Sequence, residues 1–143
     1  MPTSGAVTVI ATCQLAPVVG DRSGNRTRAD AAIRAAVRPH RRPGQLAALP
    51  RPEGDRPAEM IKAQAAATTG VFIAVADRCG VERGVRRTGG STVIGPDGFP
   101  LAGPVLADRA TTESADVDLH RARDTRIGEH DHLVTDRLPE LYA

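Results

Sequence analysis

Aromatic bulk is almost absent from this chain, which has no Trp, one Tyr and two Phe among 143 residues. A core built on ring contacts is thereby excluded. The apolar 41% of the sequence has to pack through Ala, Val, Leu and Ile, with close backbone approach in place of bulk. Lysine is scarcer still: Lys62 is the only one, and apart from histidine every other basic side chain is arginine. The net charge is only +2, and the adjacent pairs Arg41–Arg42 and Arg86–Arg87 have no aromatic neighbours on which bases could stack, so no nucleic-acid partner is expected. Two cysteines, Cys13 and Cys79, are too few and too widely spaced for a disulfide framework or a cysteine-based zinc site, and they suit a reducing compartment. No run of about 18 apolar residues could cross a membrane. Met1 to Gly5 also lacks the positive start and apolar stretch of a secretory leader. A cytoplasmic protein with no membrane partner is the expectation.

What is present reads as α/β. At this length one domain is expected, able to bury roughly 70% of the surface of its unfolded chain. Ala6 to Cys13 is β-branched and nearly continuous in apolar character, which predicts a strand buried on both faces, ended by Gln14-Leu15-Ala16-Pro17. Asn25 can cap a helix running to about Val37, with Ala29, Ala32, Ile33 and Ala36 at helical spacing. A short apolar run, Gln45 to Leu49, predicts a second strand. Pro57 sits in the first turn of an Ala-rich helix over Ala58 to Thr68. After Gly70, Val71 to Ala76 predicts a central strand. A glycine-rich loop then leads to a hairpin from Ser91 to Leu101, turning at Pro96-Asp97-Gly98. Ala110 to Val117 predicts an edge strand, and Asp118 can cap a short helix through Arg123. The polar stretch from Arg126 to Ala143 reads as an extended arm, which divides the chain into 1–125 and a tail, 126–143.

Several of these segments carry a resemblance. Cys13-Gln14-Leu15-Ala16-Pro17 followed by Gly20-Asp21 and Asn25, the Leu49-Pro50 strand end, Val71 to Arg78, and Gly89-Gly90-Ser91-Thr92-Val93-Ile94-Gly95-Pro96-Asp97-Gly98 together resemble the carbon–nitrogen hydrolase family, the nitrilase superfamily. Asp136 to Tyr142 is close to a C-terminal ending seen in some members. The resemblance implies an incomplete α-β-β-α sandwich, self-association into a homo-oligomer, and no cofactor. By family it implies hydrolysis of non-peptide C–N bonds in amides, nitriles or carbamoyl compounds through a Glu base, a Lys and a Cys nucleophile. The central catalytic region is missing, with an apparent deletion near residue 50. Pro50 is followed by Arg51 where the family has its Glu, and the nucleophile motif occurs nowhere. On this reading no residue is assigned a catalytic role and the chain is expected to be inactive. A non-catalytic interaction module or a non-functional fragment is the alternative.

The individual candidates read blandly. Glu53 lies in a loop resembling the segment after the family's nucleophile, and Lys62 lies in the helix that follows. Cys13 belongs to a buried strand. Cys79 follows a strand end beside Arg78 but stands outside the nucleophile position. His130, Asp131 and His132 could offer metal ligands, yet two imidazoles at i and i+2 in a polar tail do not close a site, and exposure is expected. Gly80, Gly84, Gly89 and Gly90 match no phosphate-binding order, and Ser91 fails the nucleophile-elbow pattern because Val93 takes its last position.

Overall fold

A computed structural model describes residues 7–37, 56–105 and 108–141. The strand expected over Gln45 to Leu49, the Pro50 junction and Glu53 lie outside the described residues. In chain order the elements are β1 (Val7–Gln14), α1 (Arg22–Ala36), α2 (Arg56–Thr69), β2 (Ile73–Val75), β3 (Cys79–Glu82), β4 (Val85–Thr88), β5 (Ser91–Ile94), β6 (Pro100–Val105) and β7 (Thr111–Asp118). Two single 3₁₀ turns follow, at Leu119–Arg123 and Pro139–Leu141. Helix and sheet are mixed, as the sequence predicts.

The first strand finds its partner almost a hundred residues away. β1 pairs antiparallel with β7 along its whole length, from Val7 opposite Asp118 to Gln14 opposite Thr111. The expectation that this strand is buried on both faces is corrected. Thr12 and Gln14 are buried, while Val7 and Val9 on the alternate face are 65% and 53% exposed. α1 lies near both strands yet buries none of its own residues.

The second sheet, ordered β2-β5-β6, corrects another expectation. β2 covers only Ile73–Val75 and forms an edge, with Ile73 half-buried opposite Ile94. The central position belongs to β5, all four of whose residues are buried. Val93 is fully buried and joins Ala115 and Val117 of β7 in the core, with Ile10, Phe72, Leu101 and Ala102 packed around them. Among the described residues Phe72 is the one aromatic ring that takes part, and aliphatic contact does the rest.

Local chemistry explains the remaining departures. α1 is capped by Asp21, whose carboxylate accepts the Gly24 N–H at 2.8 Å, and not by Asn25. The Asn25 amide instead holds Val18 at both its N–H (2.8 Å) and its carbonyl (2.7 Å). The glycine-rich stretch after Cys79 is a hairpin: β3 and β4 are joined through Arg83 and Gly84, both at positive φ (50° and 77°), as a two-residue turn between twisted strands requires. The β5–β6 hairpin turns where expected, and Gly98 (φ 82°) seats its tip on α2. A Cβ there would lie 2.9 Å from the Ala63 carbonyl oxygen. The tail is not a plain extended arm, because Arg126 and His132 bridge and Leu133 N–H returns to the Thr125 carbonyl at 2.9 Å.

Two substitutions test this packing. Val93→Asp places a carboxylate at a fully buried position, a cost on the order of several kcal/mol against a typical stability of about 5–15 kcal/mol, so the variant should not fold by circular dichroism. Thr12→Val acts in the opposite direction. The Thr12 hydroxyl is buried with no hydrogen-bond partner among the described residues, and removing it should stabilise the chain by about 1 kcal/mol in urea unfolding.

Candidate functional site

Alternation along β1 directs Gln14 to the same buried face as Thr12, and its amide, fully excluded from solvent, has to find partners there. Oε1 accepts the Ser91 N–H at 3.3 Å, and Nε2 donates to the Arg109 carbonyl at 3.3 Å. The amide also hydrogen-bonds Cys79. Gly89, at φ 66°, passes so close that a Cβ would stand 2.8 Å from Gln14 Oε1. The Gly90 carbonyl accepts from Lys62 Nζ at 2.9 Å while its N–H donates to the Val105 carbonyl at 2.8 Å. Gln14, Lys62, Cys79 and Ser91 therefore gather about the Gly89-Gly90 corner, from four different elements.

The thiol in this cluster is a poor nucleophile. Cys79 is 4% exposed, and its N–H donates to the Leu15 carbonyl at 2.9 Å. Burial pushes the thiol's pKa up and the negative charge of Asp108 adds to the rise. Hydrogen bonds from its own backbone amide and from Gln14 pull the other way without cancelling it. Asp108 is itself engaged, accepting the Gly80 N–H at 2.7 Å and Arg86 Nη1 at 2.6 Å. No carboxylate or imidazole hydrogen-bonds the thiol among the described residues, so nothing there removes its proton.

Other candidate groups are committed elsewhere. The Ser91 hydroxyl accepts the Asp77 N–H at 2.9 Å and donates to the Asp77 carbonyl at 3.4 Å, so it ties β5 to the link between β2 and β3 and is no free nucleophile. The Asp77 carboxylate accepts the neighbouring Arg78 N–H at 2.7 Å. Burial works against the Glu82 carboxylate, but Arg87 at 3.1 Å and Arg78 together outweigh it and hold the carboxyl below its usual range, the state of an ion-paired acid and not of a base. Cys13 lies on the opposite face of β1 from Gln14, half-buried, its sulfur accepting from Thr112 Oγ1 at 3.7 Å.

The histidine cluster does not converge on a metal, and the described residues contain no group of three His, Cys, Asp or Glu able to hold one. His130 and Asp131 are exposed as expected, whereas His132 is half-buried and bonded on both ring nitrogens, a role its spacing did not disclose. An open groove of about 640 Å³ lies beyond the β5–β6 turn, with Asp97, Asp118, Arg121, Asp124, Arg126 and Leu133 among its walls. Arg121 pairs with Asp97 at 2.7 Å and Arg126 with Asp124 at 3.6 Å. Neither thiol nor lysine reaches it. Sequence reasoning missed Gln14 as the hub; the available signal was an amide closing a strand on the face of a buried threonine.

Solved structures similar to this chain include forms of an amidase from Nesterenkonia sp. AN1. A mutant showing covalent addition of the acetamide moiety of fluoroacetamide at the active-site cysteine is 26% identical, over 64% of this chain and 30% of that one, at a TM-score of 0.45. Another mutant, an amidase from the nitrilase superfamily, is 31% identical over 66% of this chain and 30% of its own, at 0.43. The enzyme after removal of its His-tag is 31% identical over 66% and 31%, at 0.42. The chain thus resembles nitrilase-superfamily amidases over 64–66% of its own length while spanning 30–31% of theirs. No protein-family model matches it, and no curated protein does.

The environment of Cys79 makes a chemical prediction. A thiol whose pKa is raised by folding holds its proton more tightly in the folded state, so its contribution to stability is complete below the unfolded thiol's pKa and is lost as pH rises past it. Alkylation by iodoacetamide near about pH 7.5 should be at least about tenfold slower at Cys79 than at a free cysteine. The unfolding midpoint should fall above about pH 9, and less so in Cys79→Ala.

Proposed function

We propose that this chain is a partial carbon–nitrogen hydrolase of the nitrilase type that does not turn over amides or nitriles by itself. What supports this reading is the meeting of the two segments that carry the resemblance. The strand ending in Gln14 and the hairpin opening at Gly89-Gly90-Ser91 are joined by the Gln14–Ser91 hydrogen bond, while the thiol beside that junction is buried, holds its proton and has no base bonded to it among the described residues.

The family's chemistry needs three groups acting together: Glu to deprotonate Cys, Cys to attack the carbonyl or nitrile carbon, and Lys to support the developing negative charge before water releases the acid. Lys62 is drawn to the Gly90 carbonyl, Glu82 is neutralised by two arginines, and Cys79 keeps its proton. The lineage is that of a C–N hydrolase, and among the described residues the three groups do not converge. Small amides or nitriles are substrates only for a complete catalytic unit. Self-association belongs to the same proposal, because Val7, Val9, Val81, Val85 and Phe99 leave apolar surface in water and, among the described residues, the outer strand edges have no partner strand. The free thiols fit a cytoplasmic setting.

Purified chain assayed against aliphatic amides, carbamoyl amino acids and nitriles should show no thiol-dependent turnover, since loss of a nucleophile or base from a cooperating set removes about a millionfold in rate. Turnover that vanishes in Cys79→Ala and persists in Cys13→Ala would make Cys79 a working nucleophile and refute the proposal.

A further inference from the structure

His132 holds the tail through a geometry that only one protonation state allows. The Arg126–His132 bridge closes a short hairpin, with Ile127 N–H donating to the Asp131 carbonyl at 2.9 Å and Leu133 N–H to the Thr125 carbonyl at 2.9 Å. Two further backbone amides, Val134 at 3.2 Å and Thr135 at 3.1 Å, point at Nδ1 of the ring. An amide N–H can only donate, so Nδ1 must present its lone pair. The ring proton then sits on Nε2, 3.0 Å from Thr125 Oγ1, which accepts it. The adjacent Leu133 reaches Gly70 at the end of α2, where a Cβ would come within 3.3 Å of Leu133 Cδ1. Arg126, Ile127 and Leu133 also line the groove together with Ala67, Pro96 and Asp118.

We propose that the 125–136 segment is a proton-released clasp: neutral His132 staples it beside the C-terminal end of α2, and protonation of Nδ1 frees it and opens that side of the groove. An imidazolium carries a proton on each nitrogen, so it would face two N–H groups with a third. Both amide bonds are lost, and the closed state is therefore present at higher pH and released as pH falls.

The Asp136 carboxylate, which accepts the His132 N–H and the Thr135 hydroxyl, is the acid bonded to this turn. Glu129, His130, Asp131 and Arg137 lie exposed on the same segment, and Arg126 is turned toward Asp124. Ala67 and Gly70 bring no charge from α2. Across the groove, Asp118 is engaged with the His120 N–H and Asp97 with Arg121.

The test is NMR of the ¹⁵N-labelled full chain between about pH 8 and about pH 5. At the upper end the imidazole nitrogens should report a single Nε2-protonated tautomer, the Val134 and Thr135 amides should be protected from exchange, and a Leu133 methyl should show an NOE to Gly70. At the lower end protection should fall by about tenfold or more, the loss expected for two hydrogen bonds, and the NOE should vanish. His132→Asn puts an amide oxygen in reach of the same two N–H groups and cannot titrate, so it should keep protection at both ends. Asp136→Asn should still release. Protection that is independent of pH in the unaltered chain, or that falls equally in His132→Asn, overturns the clasp.

Discussion

A buried side-chain amide has to be satisfied where it lies, and Gln14 organises its surroundings for that reason. Its carbonyl oxygen accepts a hydrogen bond from the start of β5, its amide nitrogen donates one to the Arg109 carbonyl before β7, and its amide also reaches the start of β3. Leaving either end of such a group unpaired would cost about 1–3 kcal/mol, so the three segments are tied to one another through this one side chain. The close passage of Gly89 follows from the same constraint, because a side chain at that position would collide with the amide it has to admit. The aliphatic core is then free to be small: Val93, Ala115 and Val117 fill the space between two sheets already fixed in register.

Arginine supplies the second layer of organisation. Among the described residues the β3–β4 hairpin is a two-stranded sheet by itself, with Val81 and Val85 exposed on it. Arg78 and Arg87 converge on Glu82 within it, while Arg86 reaches out to Asp108, whose other oxygen holds the Gly80 N–H. Planar guanidinium groups with several fixed donors suit such shared carboxylates better than lysine would. The same network withdraws the acids nearest Cys79 from proton transfer, which ties the architecture of the hairpin to the quiet chemistry of the thiol.

Much of this was legible in the sequence wherever a local signal and the global fold agree. Pro57 at a helix start, Pro96-Asp97-Gly98 at a turn, and Asp118 ahead of its 3₁₀ turn all stand where their backbone preferences put them. The misreadings arise where local signals compete. Asp21 and Asn25 are both good caps, and only the position of Val18 decides that Asn25 serves the preceding loop. Arg83 in a left-handed conformation hides a two-residue turn that Asn would have announced. Val71 to Ala76 looks central because it is apolar, but burial in this fold follows the pairing of β5 with strands on both sides, and composition cannot convey pairing. The site was legible only in the negative. No nucleophile motif is present, and the gathering of Gln14, Lys62, Cys79 and Ser91 arises from long-range pairing that no spacing encodes.

The commitment of Lys62 also changes how the molecule meets amine-directed reagents. It is the sole lysine in the sequence, half-buried on α2, with its ammonium drawn to the Gly90 carbonyl. Acylating labels and cross-linkers that seek lysine side chains would find a single one here, half-buried and already hydrogen-bonded to the backbone.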